Sequence, residues 1–333
     1  MRWMIPTALA VIFVAASPAR AQDERFSVIA GETRVGHLVA STSANRVEID
    51  FDYKNNGRGP TLAESLEFGA AGLPVAWTVT GSTTLGSKVD ERFEWAADKA
   101  TWRDSTGPGE AAADLPKLYI SQSASPWALG LYARLLLADG DRTLPTLPAG
   151  QVTLAAGDTL SVGEGDTRID VRTYTLSGLD LNPDYVLLDA RNQMFAYASP
   201  GLVVVREGYE SEAPRLRKLA ADLGAARLEG IQRQTAKTFD GPLRFRNVRL
   251  FDPTTRALTG PVSVVVHAGR IAGVQPADAP VTPGETVVEG EGGTLVPGLY
   301  EMHSHTSQDG AILNLAAGIT SVRDMGNDQD RLA

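Results

Sequence analysis

The sequence Arg46-Val-Glu-Ile-Asp-Phe-Asp-Tyr53 alternates apolar and polar side chains with a period of two. Successive side chains of a β-strand point to opposite faces, so the apolar positions share one face and the acidic positions share the other. This pattern predicts a half-buried antiparallel strand. Asn56-Gly57 follows and supplies a turn before the next strand.

Similar strand patterns, separated by Gly, Pro, Asn and Asp, recur after this stretch. They are predicted at 75–80, 91–95, 166–176, 185–188, 194–198 and 202–206. One helix interrupts them, with Ser125 as a cap, Pro126 at its first position, and apolar residues at helical spacing from Trp127 to Ala138. Residues 22–210 are therefore predicted to form an antiparallel β-rich domain that contains a helix, and residues 211–240 a helical connector.

Composition excludes several classes of protein. The 333 residues include no cysteine, so disulfides, thiolate nucleophiles and cysteine-bound metals are excluded. The formal net charge of −9 has the wrong sign for a protein that binds phosphate backbones, so nucleic acid is not an expected partner. Any metal must be held by carboxylates and by the four histidines.

The N-terminus has the pattern of a secretory signal peptide. Arg2 precedes an apolar run from Ile5 to Ala16, and Ala19-Arg20-Ala21 fits the small-x-small pattern of a cleavage site. Residues 1–21 are therefore predicted to be a signal peptide, and the mature chain is expected to be secreted, into a bacterial periplasm. No later stretch is long and apolar enough to predict a membrane span.

The segment Gly292-Gly-Thr-Leu-Val-Pro-Gly-Leu-Tyr-Glu-Met-His-Ser-His305 carries the strongest chemical signal. Strand residues two apart point to the same face, so His303 and His305 are predicted to project together and to bind one metal ion. They supply half of a metal site. The other two histidines, His37 and His267, stand alone in strand-like stretches and are interpreted as surface or structural residues.

The setting of this pair resembles the amidohydrolase superfamily of metal-dependent hydrolases, especially its imidazolonepropionase-like and Xaa-Pro dipeptidase-like branch. The resemblance covers residues 243–333 and rests on several motifs in order. They are the strand 247–252, the turn Gly269-Arg270-Ile271, the step Pro297-Gly298, the His-x-His pair, and a second strand-like stretch at 317–326.

This resemblance implies a mixed fold. The antiparallel β-rich domain would be followed by a small β-sandwich at 241–296. Residues 297–333 would then form the first βαβ unit of a truncated TIM-type (β/α)8 barrel. Only 36 residues follow Pro297, whereas such a barrel occupies about 250. The chain is therefore interpreted as the N-terminal part of a longer hydrolase, inactive without the missing C-terminal half of the barrel.

The resemblance also implies an activity. A divalent metal, Zn²⁺ in one or two copies, would activate a water molecule that hydrolyses a carbon–nitrogen bond of a small-molecule substrate such as a dipeptide, a non-peptide amide or a cyclic amide. His303 and His305 would be metal ligands, and no catalytic residue can be assigned. A complete protein that has kept only a hydrolase-like start and become a binding module is a second interpretation.

A carrier or adaptor of the bacterial envelope is the alternative from another class. In it the β-rich domain would bind apolar ligands, and a bent sheet around a helix would be similar in architecture to periplasmic lipid carriers. Tryptophans 77, 95, 102 and 127 could line such a groove, although aromatic residues of a sheet more often belong to its core.

Overall fold

The computed structural model describes residues 22–112 and 117–326. The predicted signal peptide, residues 1–21, lies outside the described residues, as do residues 327–333 at the end of the predicted barrel segment. The chain divides into two compact units, which we call unit 1 (up to Asp222) and unit 2 (from Leu223). This division falls within the predicted connector, residues 211–240.

Unit 1 is built almost entirely from strands. Before its central helix it contains β1 (Gln22–Ala30), β2 (Thr33–Ser43), β3 (Arg46–Tyr53), β4 (Thr61–Phe68), β5 (Pro74–Ser82), β6 (Lys88–Ala96), β7 (Lys99–Asp104), β8 (Gly107–Ala112) and β9 (Leu118–Tyr119). The helix α1 (Trp127–Ala138) is followed by β10 (Thr143–Leu147), β11 (Gln151–Val162), β12 (Ile169–Ser177), β13 (Asp184–Asp189), β14 (Met194–Ala198) and β15 (Val203–Arg206). Helix α2 (Ala213–Thr235) begins in unit 1 and ends in unit 2.

These strands form one 15-stranded sheet in the order β8-β7-β6-β5-β4-β3-β2-β1-β15-β14-β13-β12-β11-β10-β9. Neighbours along the sheet are antiparallel, apart from the parallel pair β9–β10. The first and last strands of the unit meet in the middle of the sheet, where Phe26 of β1 is opposite Arg206 of β15. The β1–β15 pairing therefore joins the two halves of the sheet, β1 to β8 and β9 to β15.

The sheet curves around α1. The helix packs on β11 to β14, and Tyr132 of α1 also contacts Trp77 of β5, with ring centroids 6.2 Å apart. The apolar face of β3 turns inward as its alternation predicts, and Val47, Ile49 and Phe51 are all buried. Strands from both halves of the sheet and the helix thus share one hydrophobic core.

Unit 2 contains two smaller sheets. The first has six strands, with β16 (Leu243–Asp252) paired to four others. Its other members are β17 (Ala257–Leu258), β18 (Val262–His267), β19 (Arg270–Pro276), β20 (Thr286–Glu289) and β21 (Thr294–Leu295). The second is a parallel pair, β22 (Leu299–Ser304) and β23 (Ile319–Asp324), connected by α3 (Gln308–Ala316).

The predicted fold class is wrong. The described residues are dominated by β-sheet, and they contain no TIM-type barrel. The segment expected to be a small sandwich, residues 241–296, is hydrogen-bonded into a single sheet, and β22 and β23 pair with each other but with no further described strand. A strand–helix–strand pattern is a local property, whereas barrel closure needs a full set of strands with matched tilt and stagger. The local pattern was therefore insufficient to predict a barrel.

No helix within 22–112 or 117–326 is both long enough and apolar enough to cross a membrane.

Candidate functional site

The two predicted metal ligands lie at the end of β22. His303 belongs to the strand and His305 follows it, and their ring centroids are 5.5 Å apart. Both are exposed. The backbone N–H of His303 donates to Glu301 Oε1 at 2.8 Å, and His305 Nδ1 is 3.2 Å from the carbonyl oxygen of Gly326. The structure thus brings the two imidazoles together.

This pair does not make a complete zinc site. Catalytic zinc takes three protein ligands, and no group of three or more histidines or carboxylates that could hold a metal occurs among the described residues. The nearby carboxylate of Asp324 accepts backbone N–H bonds from Thr306 and Gly326, both at 3.0 Å. The described residues therefore bring together two of the ligands that the expected zinc would need, and metal binding at His303 and His305 stays a prediction.

The remaining histidines lie on other strands. His37 Nε2 is 2.8 Å from Asp50 Oδ2, where β2 and β3 run side by side. His267 is exposed at the end of β18.

A pocket lies between α1 and the first strands of unit 1, and we call it the α1 pocket. Its volume is about 470 Å³. Trp127 and Leu131, four residues apart on one face of the helix, form one wall, and Val47 and Phe68 form the facing wall on the sheet. These four apolar side chains share the pocket lining with polar and charged residues.

Three charged side chains, Glu24, Arg46 and Arg134, line the α1 pocket. Glu24 Oε2 accepts a hydrogen bond of 2.6 Å from Trp127 Nε1. Arg134, one further turn along α1, places its Nη1 3.9 Å from Glu24 Oε1 and its Cζ 5.2 Å from the centre of the Trp127 ring. Burial lowers the pKa of the Arg134 guanidinium, and Glu24 partly offsets this effect. A half-buried cation thus lies beside an aromatic wall.

Two buried glutamates fix the segment that leads into α1. Glu64 accepts hydrogen bonds from the backbone N–H of Ser125 at 2.7 Å and from Trp77 Nε1 at 3.0 Å. Glu91 accepts from the backbone N–H groups of Gln122 and Ser123. Since both carboxylates come from strands, the start of the helix is held at a fixed position against the sheet.

The predicted helix is confirmed, with one difference at its start. Pro126 is the N-cap residue, and no side chain caps the helix. Ser125 was expected to be the cap, but its backbone N–H instead bonds to Glu64. In the first turn of the helix, the backbone N–H groups of Ala128 and Leu129 bond to the carbonyl oxygens of Ser125 and Pro126, each at 3.1 Å.

A second pocket, of about 330 Å³, lies at the N-terminal end of α1. Tyr53 and Tyr197 are among its lining residues. Burial raises the pKa of Asp184, which is hydrogen-bonded to Tyr197, to about 6, and burial raises the pKa of Tyr197 to about 12. At neutral pH the phenol of Tyr197 in this pocket is therefore neutral.

The sequence identified only part of the α1 pocket. Trp127 was one of four tryptophans considered as groove residues, and it does line the pocket, whereas Trp77 lies in the core. Glu24 and Arg134 were not identified. The spacing of Trp127, Leu131 and Arg134 along one helix face was a usable signal for Arg134, but 110 residues separate it from Glu24 and no local pattern connects them.

Comparisons with known proteins give weak similarities. No protein-family model matches the sequence, and no curated protein matches it. A β-barrel-like protein of the domain of unknown function DUF1849 from Brucella abortus is 12% identical over 56% of this chain and 95% of its own, with a TM-score of 0.36. A DUF1089 family protein from Pseudomonas aeruginosa is 13% identical over 58% of this chain and 96% of its own, with a TM-score of 0.24.

A prolidase complexed with N-methylphosphonate-L-proline is also similar, at 22% identity and a TM-score of 0.23. The match covers 27% of this chain and 27% of the prolidase, so the chain spans about a quarter of that protein's length. The expected resemblance to the amidohydrolase superfamily is wrong. No family model supports it, and the match to the prolidase covers only 27% of this chain. The motifs that suggested the resemblance are short, and the described residues do not form the barrel in which such motifs carry metal ligands.

Proposed function

We propose that unit 1 is a carrier or adaptor module of the bacterial envelope that binds an apolar small molecule in the α1 pocket. The observation that carries this proposal is the pocket itself, about 470 Å³ in volume and walled by Trp127, Leu131, Val47 and Phe68. Small-molecule sites typically occupy about 300–1,000 Å³ and combine apolar walls with a few polar groups. The α1 pocket has this size and this composition.

The position of the pocket also supports the proposal. A binding site keeps its shape when it is built on rigid elements. The walls belong to α1 and to strands β3 and β4, and the buried carboxylates Glu64 and Glu91 hold the segment before α1 by hydrogen bonds. Ligand binding would therefore require little ordering of the protein.

The structure supports the hydrolase interpretation less than it supports the carrier proposal. It depends on His303 and His305, and the described residues contain no group of three or more histidines or carboxylates that could hold a metal. Hydrolysis of a carbon–nitrogen bond by this chain stays a prediction.

The test is a titration of the mature protein, residues 22–333, with the neutral fluorescent probe N-phenyl-1-naphthylamine. Unit 2 exposes apolar side chains, such as Ile271 and Tyr300 at 71% each, that can bind the probe weakly. The informative comparison is therefore with Thr42→Phe, which adds an aromatic ring at a residue that lines the pocket. The control is Thr80→Phe, the same change on an exposed position of β5.

We expect saturable binding at micromolar concentration, a loss of about tenfold in affinity for Thr42→Phe, and a change below about twofold for Thr80→Phe. Absence of saturable binding, or equal affinity of wild type and Thr42→Phe, would contradict the proposal.

A further inference from the structure

Arg134 is a cation without a matching acceptor. Only 28% of its side chain is exposed, and its closest carboxylate oxygen, Glu24 Oε1, lies 3.9 Å from Nη1, beyond hydrogen-bond distance. In the ranges that the structure describes, no protein group accepts a hydrogen bond from this guanidinium. Its donors are therefore available to a ligand in the α1 pocket.

Glu24 does not neutralise Arg134 fully. Its other oxygen, Oε2, is engaged by Trp127 Nε1 at 2.6 Å, which fixes the carboxylate against the indole. A buried guanidinium is stabilised most strongly by two parallel hydrogen bonds from a carboxylate or a phosphate. Glu24 makes no such bonds to Arg134.

The other cation of the pocket is already paired. Arg46, at the rim, contacts Glu48 through Nε, and its Nη1 is 3.5 Å from Glu67 Oε1. Both of these partners are exposed, and neither lines the pocket. Of the two arginines that line the α1 pocket, Arg134 is thus the one whose guanidinium makes no hydrogen bond to another described residue.

The geometry points to an amphiphile with an anionic head group as the ligand, with the head on Arg134 and the apolar chain between Trp127, Leu131 and Phe68. This inference rests on the proposed function, because it names the class of ligand for the same pocket. A carboxylate or a phosphate monoester would satisfy the guanidinium equally. A free fatty acid and a lipid that carries a phosphate are the two sources of that chemistry.

The test measures how well decanoate and decan-1-ol displace N-phenyl-1-naphthylamine at pH 8. The two compounds have the same chain length and differ in charge. Decyl phosphate forms a third arm and distinguishes the two sources of the head group. The protein is the mature chain, as wild type and as Arg134→Gln, Arg134→Lys, Glu24→Gln and Arg172→Gln. Arg172 is an exposed arginine of β12 and serves as the control.

For wild type we expect decanoate to bind at least about tenfold more tightly than decan-1-ol. Arg134→Gln should remove this preference and leave the affinity for decan-1-ol within about twofold of the wild-type value. Arg134→Lys should retain part of the preference for decanoate. Retained binding of decan-1-ol shows that the variant is folded. Arg172→Gln should behave as wild type.

Glu24→Gln is expected to tighten decanoate binding, since it removes a competing negative charge yet keeps an acceptor for Trp127 Nε1. If decan-1-ol binds but decanoate binds no more tightly, or if Arg134→Gln keeps the preference, the inference is overturned and the proposed function stands. If neither compound displaces the probe, both fail.

Discussion

Glu64 and Glu91 are carboxylates in the interior of unit 1, each with 2% of its surface exposed. Burial raises the pKa of Glu64, since it penalises the charged form more than the hydrogen bonds from Ser125 and Trp77 favour it. Tyr119 donates a hydrogen bond of 2.7 Å to Glu91, and burial together with this carboxylate raises the pKa of the Tyr119 hydroxyl. Both acids act here as acceptors that position the chain before α1.

Replacement of Glu64 by alanine should therefore be costly. Two buried donors, Ser125 N–H and Trp77 Nε1–H, would lose their acceptor, and each orphaned group costs about 1–3 kcal/mol. We expect Glu64→Ala to lower the free energy of unfolding by about 3 kcal/mol in urea denaturation followed by circular dichroism. Glu67→Ala, an exposed position on the same strand, is the control and should change it by less than about 0.5 kcal/mol. Equal stability of the two variants would refute this role of Glu64.

At the scale of an element, α1 packs so closely on the sheet that one of its positions admits only glycine. A Cβ added at Gly130 would lie 2.8 Å from Met194 Cβ on β14, closer than two such atoms approach in real proteins. Glycine lowers helix propensity by about 1 kcal/mol relative to alanine, so this residue weakens the helix locally. The loss of helix propensity is offset because glycine lets α1 pack closely against β14.

Gly130→Ala should thus destabilise the protein in spite of its better helix propensity. Overpacking of a core costs about 1–3 kcal/mol, which outweighs the gain in propensity. The control is Gly230→Ala in α2, where the nearest atom to the new Cβ is Arg233 Nη2 at 4.0 Å, and it should raise stability by up to about 1 kcal/mol. Thermal unfolding of both variants measures the difference, and a higher melting temperature for Gly130→Ala than for wild type would disprove the packing argument.

At the scale of the whole molecule, the two units differ in how they are held together. Unit 1 has a large apolar core, whereas most of the exposed large apolar side chains of the described chain belong to unit 2. Unit 2 has a smaller apolar core, and we expect a buried ion pair to contribute a larger share of its stability than in unit 1. Arg244, 0% exposed, donates to both oxygens of Glu285, at 2.7 and 3.1 Å.

We therefore expect unit 2 to unfold at a lower urea concentration than unit 1. The described tryptophans all lie in unit 1, so fluorescence follows its unfolding while circular dichroism follows both units. Arg244→Ala should shift only the earlier transition, because it leaves Glu285 buried without its partner. Arg246→Ala, which removes an exposed arginine two residues later on β16, is the control. A single transition by both probes, shifted as a whole by Arg244→Ala, would contradict this expectation.

The same ion pair gives unit 2 a dependence on pH. Hydrogen bonds from Arg244 hold the pKa of Glu285 below its usual value of 4.5. The unfolded chain then binds the proton more readily than the folded chain, so the stabilisation is present above pH 4.5 and is lost as the pH falls through the lowered pKa. Acid should therefore lower the urea concentration at which unit 2 unfolds.

The sequence by itself determined the local structure of unit 1. Alternation in Arg46–Tyr53 predicted both the strand β3 and its buried face, and the apolar spacing after Pro126 predicted α1. It also predicted that His303 and His305 would lie side by side. These features depend on the periodicity of a few consecutive residues, which is visible in the sequence.

Only the tertiary structure decided which strands are neighbours and which charges meet. The pairing of β1 with β15, the convergence of Glu64 and Glu91 on one segment, and the approach of Arg134 to Glu24 all join residues that are far apart in the chain. The sequence also predicted that β22 and β23 begin a barrel, and this prediction was wrong. It used a local strand–helix–strand pattern, whereas barrel closure depends on the whole set of strands. Contacts between distant residues depend on how the whole core packs, and no short pattern encodes that packing.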